Sequence, residues 1–273
     1  HIMEPQAANI GLISEMATID VNNKIQNIGL DHFYVKGRGG TTGALIGQLR
    51  AATVQNCFVT NSSVDGDDNT GGLIGYANGG LVVNCFANVH AEGARWAGLM
   101  IGTGIGTLVK NCYAAGTFRQ RAYCFNGGIL AYGDGGTIVN GYSVKMPMGV
   151  IGHPGTCDIS DTTTVVRTDE GILLMNPVTF DEQPVTDLLS ALNAWVGQVN
   201  DATYYTWTAD KNAVNDGFPV FGGKYVIECP NVTDVVVENV KNGNKINVDV
   251  TWTDNGSASK WTLRYRQYDA PDL

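Results

Sequence analysis

"GGLIGYANGGLVVNCFANV", residues 71–89, supports two incompatible readings, and the choice between them decides the fold. Its glycines could cradle a phosphate, which would make the chain a nucleotide-binding protein. They could equally be turns between strands, in which case the stretch should recur. A phosphate loop has to open a helix, whose first amides and dipole meet the anion, whereas these glycines lead into β-branched residues. The stretch does recur. "TVQNCFVTNSSV" (53–64), "LVVNCFANV" (81–89), "LVKNCYAAG" (108–116), "TIVNGYSV" (137–144) and the weaker "KIQNIGL" (24–30) share an asparagine, at Asn27, Asn56, Asn84, Asn111 and Asn140, spaced by 27 to 29 residues. Ahead of each lies a second shared element: "IGLIS" (10–14), "GALIG" (43–47), "GGLIG" (71–75), "AGLMIG" (97–102) and "GGILA" (127–131). Five copies of a two-part pattern are not five nucleotide sites, and the phosphate reading falls.

Short strands and Gly-rich turns at this period are what a parallel β-solenoid requires, since each coil travels round a cross-section and returns one strand spacing higher. Five coils at about 4.8 Å each stack to roughly 24 Å. Equivalent residues then lie above one another. Asn56, Asn84, Asn111 and Asn140 are expected to form a hydrogen-bonded ladder in the turn column. Leu45, Leu73, Leu99 and Ile129 are expected as one apolar column inside, with Ile46, Ile74, Ile101 and Leu130 beside it. The predicted fold class is all-β: a parallel β-solenoid (β-helix) of about five repeats with a helical and β C-terminal cap, then a partial β-sandwich.

These units resemble the GLUG repeat of bacterial surface proteins and of the non-catalytic parts of streptococcal IgA-cleaving metallopeptidases. The resemblance covers roughly residues 9–152, and departs from the pattern at Ser14 and Ala131, where the closing glycine is replaced. It implies a secreted or cell-surface location, anchored at a bacterial outer membrane, and names no ligand.

Composition narrows the partners. Seventeen Lys and Arg against 26 Asp and Glu give 273 residues a net charge of −9, a surface that repels phosphate backbones, so nucleic acid is not expected as a partner. Only 16% of residues are charged while 35 are glycine, which favours turns and strands over long amphipathic helices. No apolar run is long enough to span a membrane. The opening "HIM" looks like the remnant of an expression tag, and no signal peptide precedes it.

Of the six cysteines, Cys57, Cys85 and Cys112 each follow a repeat asparagine and so share a column, where free thiols serve as small apolar side chains. Cys124 and Cys157, outside the register, are the pair left for a disulfide. Nothing has the spacing of a zinc site. "DGDDNTGG" (65–72) alternates Asp65, Asp67 and Asn69 like a calcium loop, but its glycine falls one place late and Tyr76 stands where the bidentate Glu belongs. A solvated acidic turn is favoured over calcium, and no cofactor is implied. Nor do acids align: the residues after the turn glycine are Arg38, Asp67 and Ala94, unlike the paired carboxylates of a glycosidase, and His32, His90 and His153 are scattered over different repeats. Arg95, Trp96, Arg119, Arg121 and Tyr123, between the third and fifth units, are the residue types a carbohydrate or protein ligand would contact, although a loop that covers the solenoid flank uses the same types and is the favoured reading.

Beyond 152 the period is lost. "PVTDLLSALNAWVGQV" (184–199) places Val185, Leu188, Leu189, Leu192, Trp195, Val196 and Val199 at helical intervals. With "YYTWTADKNAVNDGFPVFGG" (204–223) it is expected to cap the open solenoid end. Similar "DGFPVF" endings follow GLUG repeats in Bacteroidetes surface proteins. From Cys229 onward, strands at "VTDVVVENV", "KINVDVTWT" and "KWTLRYRQY", with Trp252 and Trp261, resemble the start of a fibronectin type III-like sandwich, which needs about 90 to 100 residues when complete. The expected domains are thus 9–152 (solenoid), 153–228 (capping region) and 229–273 (incomplete sandwich). The expected function is a non-catalytic scaffold or adhesin module that presents loops to a host glycan or protein, or spaces other modules of the same polypeptide. The alternative is an accessory or catalytic part of a polysaccharide-active enzyme or host-protein peptidase.

Overall fold

The computed structural model describes residues 2–4, 7–16, 23–119, 124–145, 147, 149–222, 233–242 and 245–253. The chain divides into two compact units, His1–Gly222 and Gly223–Leu273.

In the first unit the parallel strands form a β-solenoid of about four turns. A coil contributes strands to three faces, which the opening stretch traverses in order: Asn69–Gly71 on the first face, Ile74–Asn78 on the second, and Leu81–Val83 with Phe86–Glu92 on the third. Each strand pairs in parallel with its equivalents one coil below and above, as Ile74 does with Ile46 and Ile101. The turn between the first two faces is so tight that a Cβ on Gly98 would lie 1.9 Å from the carbonyl oxygen of Ile101, and one on Gly102 would lie 2.7 Å from the amide nitrogen of Thr70. Any side chain there would collide with backbone. The two faces therefore meet backbone to backbone, and side chains pointing outward from them become neighbours.

The interior is a set of columns. Ile25, Val54, Val82, Val109 and Ile138 align coil by coil and are buried. On the second face the column is Leu45, Leu73, Met100 and Ile129, a correction of one residue to the expected register. Gly71 aligns with Gly98 and Ile74 with Ile101, which sets Met100 beside Leu73 and leaves Leu99 opposite Gly72. Both Leu99 and Met100 are fully buried, so hydrophobicity did not distinguish them.

Asparagine recurs because two demands coincide. Asn27, Asn56, Asn84, Asn111 and Asn140 all have positive φ, from 51° to 61°, the left-handed conformation that Asn tolerates better than other residues bearing a Cβ. Their amides also form one file: Asn56 donates to Asn27 at 3.0 Å, Asn84 to Asn56 at 2.9 Å, Asn111 to Asn84 at 2.8 Å and Asn140 to Asn111 at 2.6 Å. The thiols beside them stack similarly. The amide of Cys57 donates to Sγ of Cys85 at 3.3 Å and that of Cys85 to Sγ of Cys112 at 3.4 Å, while each thiol donates to the carbonyl two residues before it, at 3.2 Å. All three are buried and free.

The parallel stack extends beyond 9–152. Ile2–Glu4, including residues that read as a tag remnant, pairs with Val35–Gly37. Past residue 152, Asp158–Ser160 and Thr163–Val165 add another rung to the third face, with Asp161 (φ 48°) in the asparagine position. This rung escapes a search for the repeat because it follows Asn140 by fewer residues and carries Asp. Gly171–Phe180 then pairs antiparallel with Thr163–Thr168, and Gln183–Asp187 follows it. This change of direction covers the sheet edge that a solenoid must protect.

The helix, Leu188–Val199, is shorter than its periodic pattern, because Val185 belongs to the preceding strand. Asp187 caps it by accepting from the Ser190 amide at 2.9 Å, and Asn200 ends it in the left-handed conformation. Its buried side is Leu188, Ala191, Leu192, Trp195 and Val196, and the carbonyl of Leu192 accepts from the Asn111 amide of the third face at 3.3 Å. The helix and the segment to Phe221 lie along the flank of the third face, where an outward column of Phe58, Phe86 and Tyr113 stacks at 5.0 and 5.1 Å. Trp207, Phe218 and Phe221 pack against these rings.

In the second unit Thr233–Asn242 and Lys245–Thr253 pair as an antiparallel hairpin. Trp252 lies in its second strand; the third expected strand and Trp261 lie outside the described residues.

Candidate functional site

The tight corner between the first and second faces creates the most distinctive surface of the solenoid. Trp96 and Phe125 occupy equivalent outward positions on the first face of adjacent coils, and Tyr132 and His153 do so on the second. Because the faces touch, the four rings form one cluster. Trp96 stacks on Phe125 at 4.9 Å, lies 4.9 Å from Tyr132 and 6.0 Å from His153, and Tyr132 lies 5.5 Å from His153. The Arg95 guanidinium sits 5.6 Å from the Trp96 ring centre, in cation–π range. Phe125 keeps 41% of its surface exposed. The result is a half-exposed aromatic ledge carrying one cation, held on strands rather than on a loop.

Of the residues singled out from sequence, the structure brings Arg95 and Trp96 together here. Arg119 stands elsewhere, at the end of a third-face strand, 3.4 Å from Glu92 of the coil below. Arg121 and Tyr123 lie outside the described residues. Sequence reasoning missed Phe125, Tyr132 and His153. The signal for two of them was present: Phe125 and Trp96 both stand two residues before a corner glycine, and Tyr132 occupies the place of Tyr76 after the "LIG" element.

The acidic turn has its own partners. Asp65 is held by Arg38 in a two-pronged pair at 2.9 and 3.1 Å, with Lys36 at 3.6 Å, and Arg38 also lies 3.6 Å from Asp67. Asn69 turns away: its amide donates to Gly40 at 3.1 Å and its oxygen accepts from Thr103 at 2.5 Å. Asp65 and Asp67 share Arg38, so these carboxylates answer cations of the chain itself. The residues after the turn glycine do share a column, with Ala94 donating its amide to the Asp67 carbonyl at 2.8 Å.

The thiol column is chemically quiet. Burial pushes the Cys85 thiol well up, and the hydrogen bond with Cys85 together with burial does the same to Cys57. A thiol that donates to a carbonyl, as Cys57 and Cys85 do, gives up that bond on losing its proton. Cys124 bonds Asn126 Oδ1 at 3.1 Å, and Cys157 packs against the core margin with its thiol pushed up by burial and by Asp158; both are free.

Among the described residues no helix is long and apolar enough to cross a membrane. The fold defines a parallel β-solenoid with a flanking helical segment. Comparison with family models, with curated proteins and with solved structures finds no match to this chain.

Proposed function

We propose that the chain is a non-catalytic scaffold whose aromatic ledge engages a partner at a cell surface. The observation that carries this reading is the cluster of Trp96, Phe125, Tyr132 and His153 with Arg95 beside it. Clustered aromatic side chains joined by an arginine are the residue types that dominate binding energy where they become desolvated, and rings offer large contact area at little entropic cost. The likeness of the repeats to GLUG units adds the setting: a bacterial, secreted or surface-anchored polypeptide. A host glycan or a host protein is the partner class that fits such a ledge.

The test is binding of the whole chain to host glycoproteins and arrayed glycans, with Trp96→Ala and Phe125→Ala beside it. Loss of at least tenfold in affinity in both variants, without loss of fold, supports the reading. Binding that both variants retain removes the ledge from it. Turnover of a polysaccharide or peptide that vanishes on replacing one Asp, Glu or His would make the chain a catalytic part instead.

A further inference from the structure

A second surface, independent of the ledge, lies on the third face. The strand Phe58–Asp65 carries a bulge between Thr60 and Ser62, where Asn61 takes a positive φ of 49°. A bulge re-aims side chains. Here Asn61 leaves the ladder and donates to Asp31 Oδ1 at 2.8 Å and to the carbonyl of Val214 at 3.0 Å. Beyond it a groove of about 500 Å³ opens between the strands and the flanking segment.

One wall of the groove is the column Tyr34, Ser63, His90 and Thr117, aligned on four successive coils. At about 4.8 Å per coil it extends roughly 14 Å along the axis. The other wall is the loop carrying Asp216. That loop is rigidly held: Asp210 accepts from the amides of Val214, Asn215 and Gly217 at 3.0, 2.7 and 2.9 Å. Asn88, at the floor, donates to Asn215 Oδ1 at 3.1 Å and Asp216 Oδ2 at 3.0 Å. His90 Nδ1 lies 2.8 Å from Thr117 Oγ1, which leaves Nε2 for a ligand.

We propose that this groove binds an extended, neutral oligosaccharide lying along the solenoid axis. Its described lining combines hydroxyls, amides, imidazoles and one carboxylate with a larger share of apolar atoms, and holds neither lysine nor arginine. An anionic ligand would meet the Asp216 carboxylate, while Arg167, which donates to the Asp216 carbonyl, stands outside the lining; a wholly apolar one would strand the polar groups of the walls. Sugar hydroxyls, each both donor and acceptor, match mixed walls of this kind. The repeat matches too, since an extended pyranose chain advances by roughly one strand spacing per ring. Most of the groove is preformed by the bulge and the Asp210 loop, so little ordering is spent on binding.

The test is titration of the full chain with cellohexaose, chitohexaose, mannohexaose and, as a charged control, a hexamer of galacturonate, read by calorimetry and by NMR shifts. At least one neutral hexaose should bind, His90→Ala should weaken it at least tenfold, and Ser63→Trp, which fills the groove from an outward position, should abolish it. Arg50→Ala, at the end of a second-face strand away from both surfaces, should leave that affinity unchanged. The proposal is overturned if no neutral hexaose binds at millimolar concentration, if the galacturonate hexamer binds more tightly, or if Trp96→Ala abolishes binding while Ser63→Trp does not. The last outcome would place sugar recognition on the ledge and leave the reading of the ledge standing.

Discussion

The indole Nε1 of Trp207 donates to Oδ1 of Asn84 at 2.9 Å, joining the flanking segment to the ladder that stacks the coils. Asn84 is fully employed: its oxygen also accepts from Asn111, and its amide donates to Asn56 and, at 3.0 Å, to the carbonyl of Tyr205. Asn56 and Asn111 repeat the pattern, each sending one N–H down the ladder and the other out, to Thr203 and Leu192. The ladder is thus an internal spine and a docking strip at once.

Removing the indole donor while keeping a ring isolates that bond. Trp207→Phe should cost about 1 to 3 kcal/mol, because a buried acceptor loses a partner. Trp207→Ala should cost about 3 to 5 kcal/mol, since it also leaves a cavity against Phe86, Tyr113 and Phe221. Chemical denaturation monitored by far-UV circular dichroism measures both. A Trp207→Phe variant as stable as the parent would mean that the hydrogen bond contributes nothing beyond packing, and equal costs in the two variants would mean that packing contributes nothing beyond the bond.

At Asn84 the backbone and the side chain make separable demands. Asn84→Gly loses the ladder bonds but accepts φ 52° without strain, whereas Asn84→Ala loses the same bonds and is strained as well. The glycine variant should therefore be the more stable of the two by about 1 kcal/mol. This reverses the order seen at an ordinary strand position, where glycine is the worse residue. If alanine proves better tolerated, the left-handed conformation is not what selects asparagine.

Thiol reactivity should rank by burial. In native protein at pH 8, iodoacetamide should label Cys124 first and Cys157 more slowly, its thiol being pushed up by burial and by Asp158. Cys57, Cys85 and Cys112 should stay unlabelled until denaturant is added, which peptide mass mapping would resolve. Modification of Cys85 in the folded protein would contradict its place in the stack.

Acid should find a weak point at Asp31. Partial burial pushes its carboxyl up, but hydrogen bonds from Asn61, His32 and Thr60 outweigh this and hold it below the ordinary carboxylate value. A group depressed in the folded state stabilises the protein above its unfolded pKa, about 3.9, and that stabilisation disappears as pH falls through the lower folded value. Stability measured between about pH 5 and pH 2 should accordingly fall less steeply in Asp31→Asn than in the parent chain. The increment is small, since the side chain is half exposed, and parallel curves would show that these bonds do not favour the ionised form.

The coil, its period and its asparagine column were legible in the sequence because they are local rules repeated: left-handed turns, tight corners and alternating burial recur wherever "LIG" and "N" recur. Even the one-residue slip between Leu99 and Met100 has that origin, for both are apolar and both are buried. What the tertiary structure alone decided is everything that joins positions without a shared period. Trp207 finds Asn84 across 123 residues, and Trp207, Phe218 and Phe221 settle on the column of stacked Phe58, Phe86 and Tyr113 rings, a surface that a pattern of single residues does not disclose. The ledge arises in the same way. Trp96 and Tyr132 belong to different faces and different coils, and they touch at 4.9 Å only because glycine corners let two backbones approach with no side chain between them.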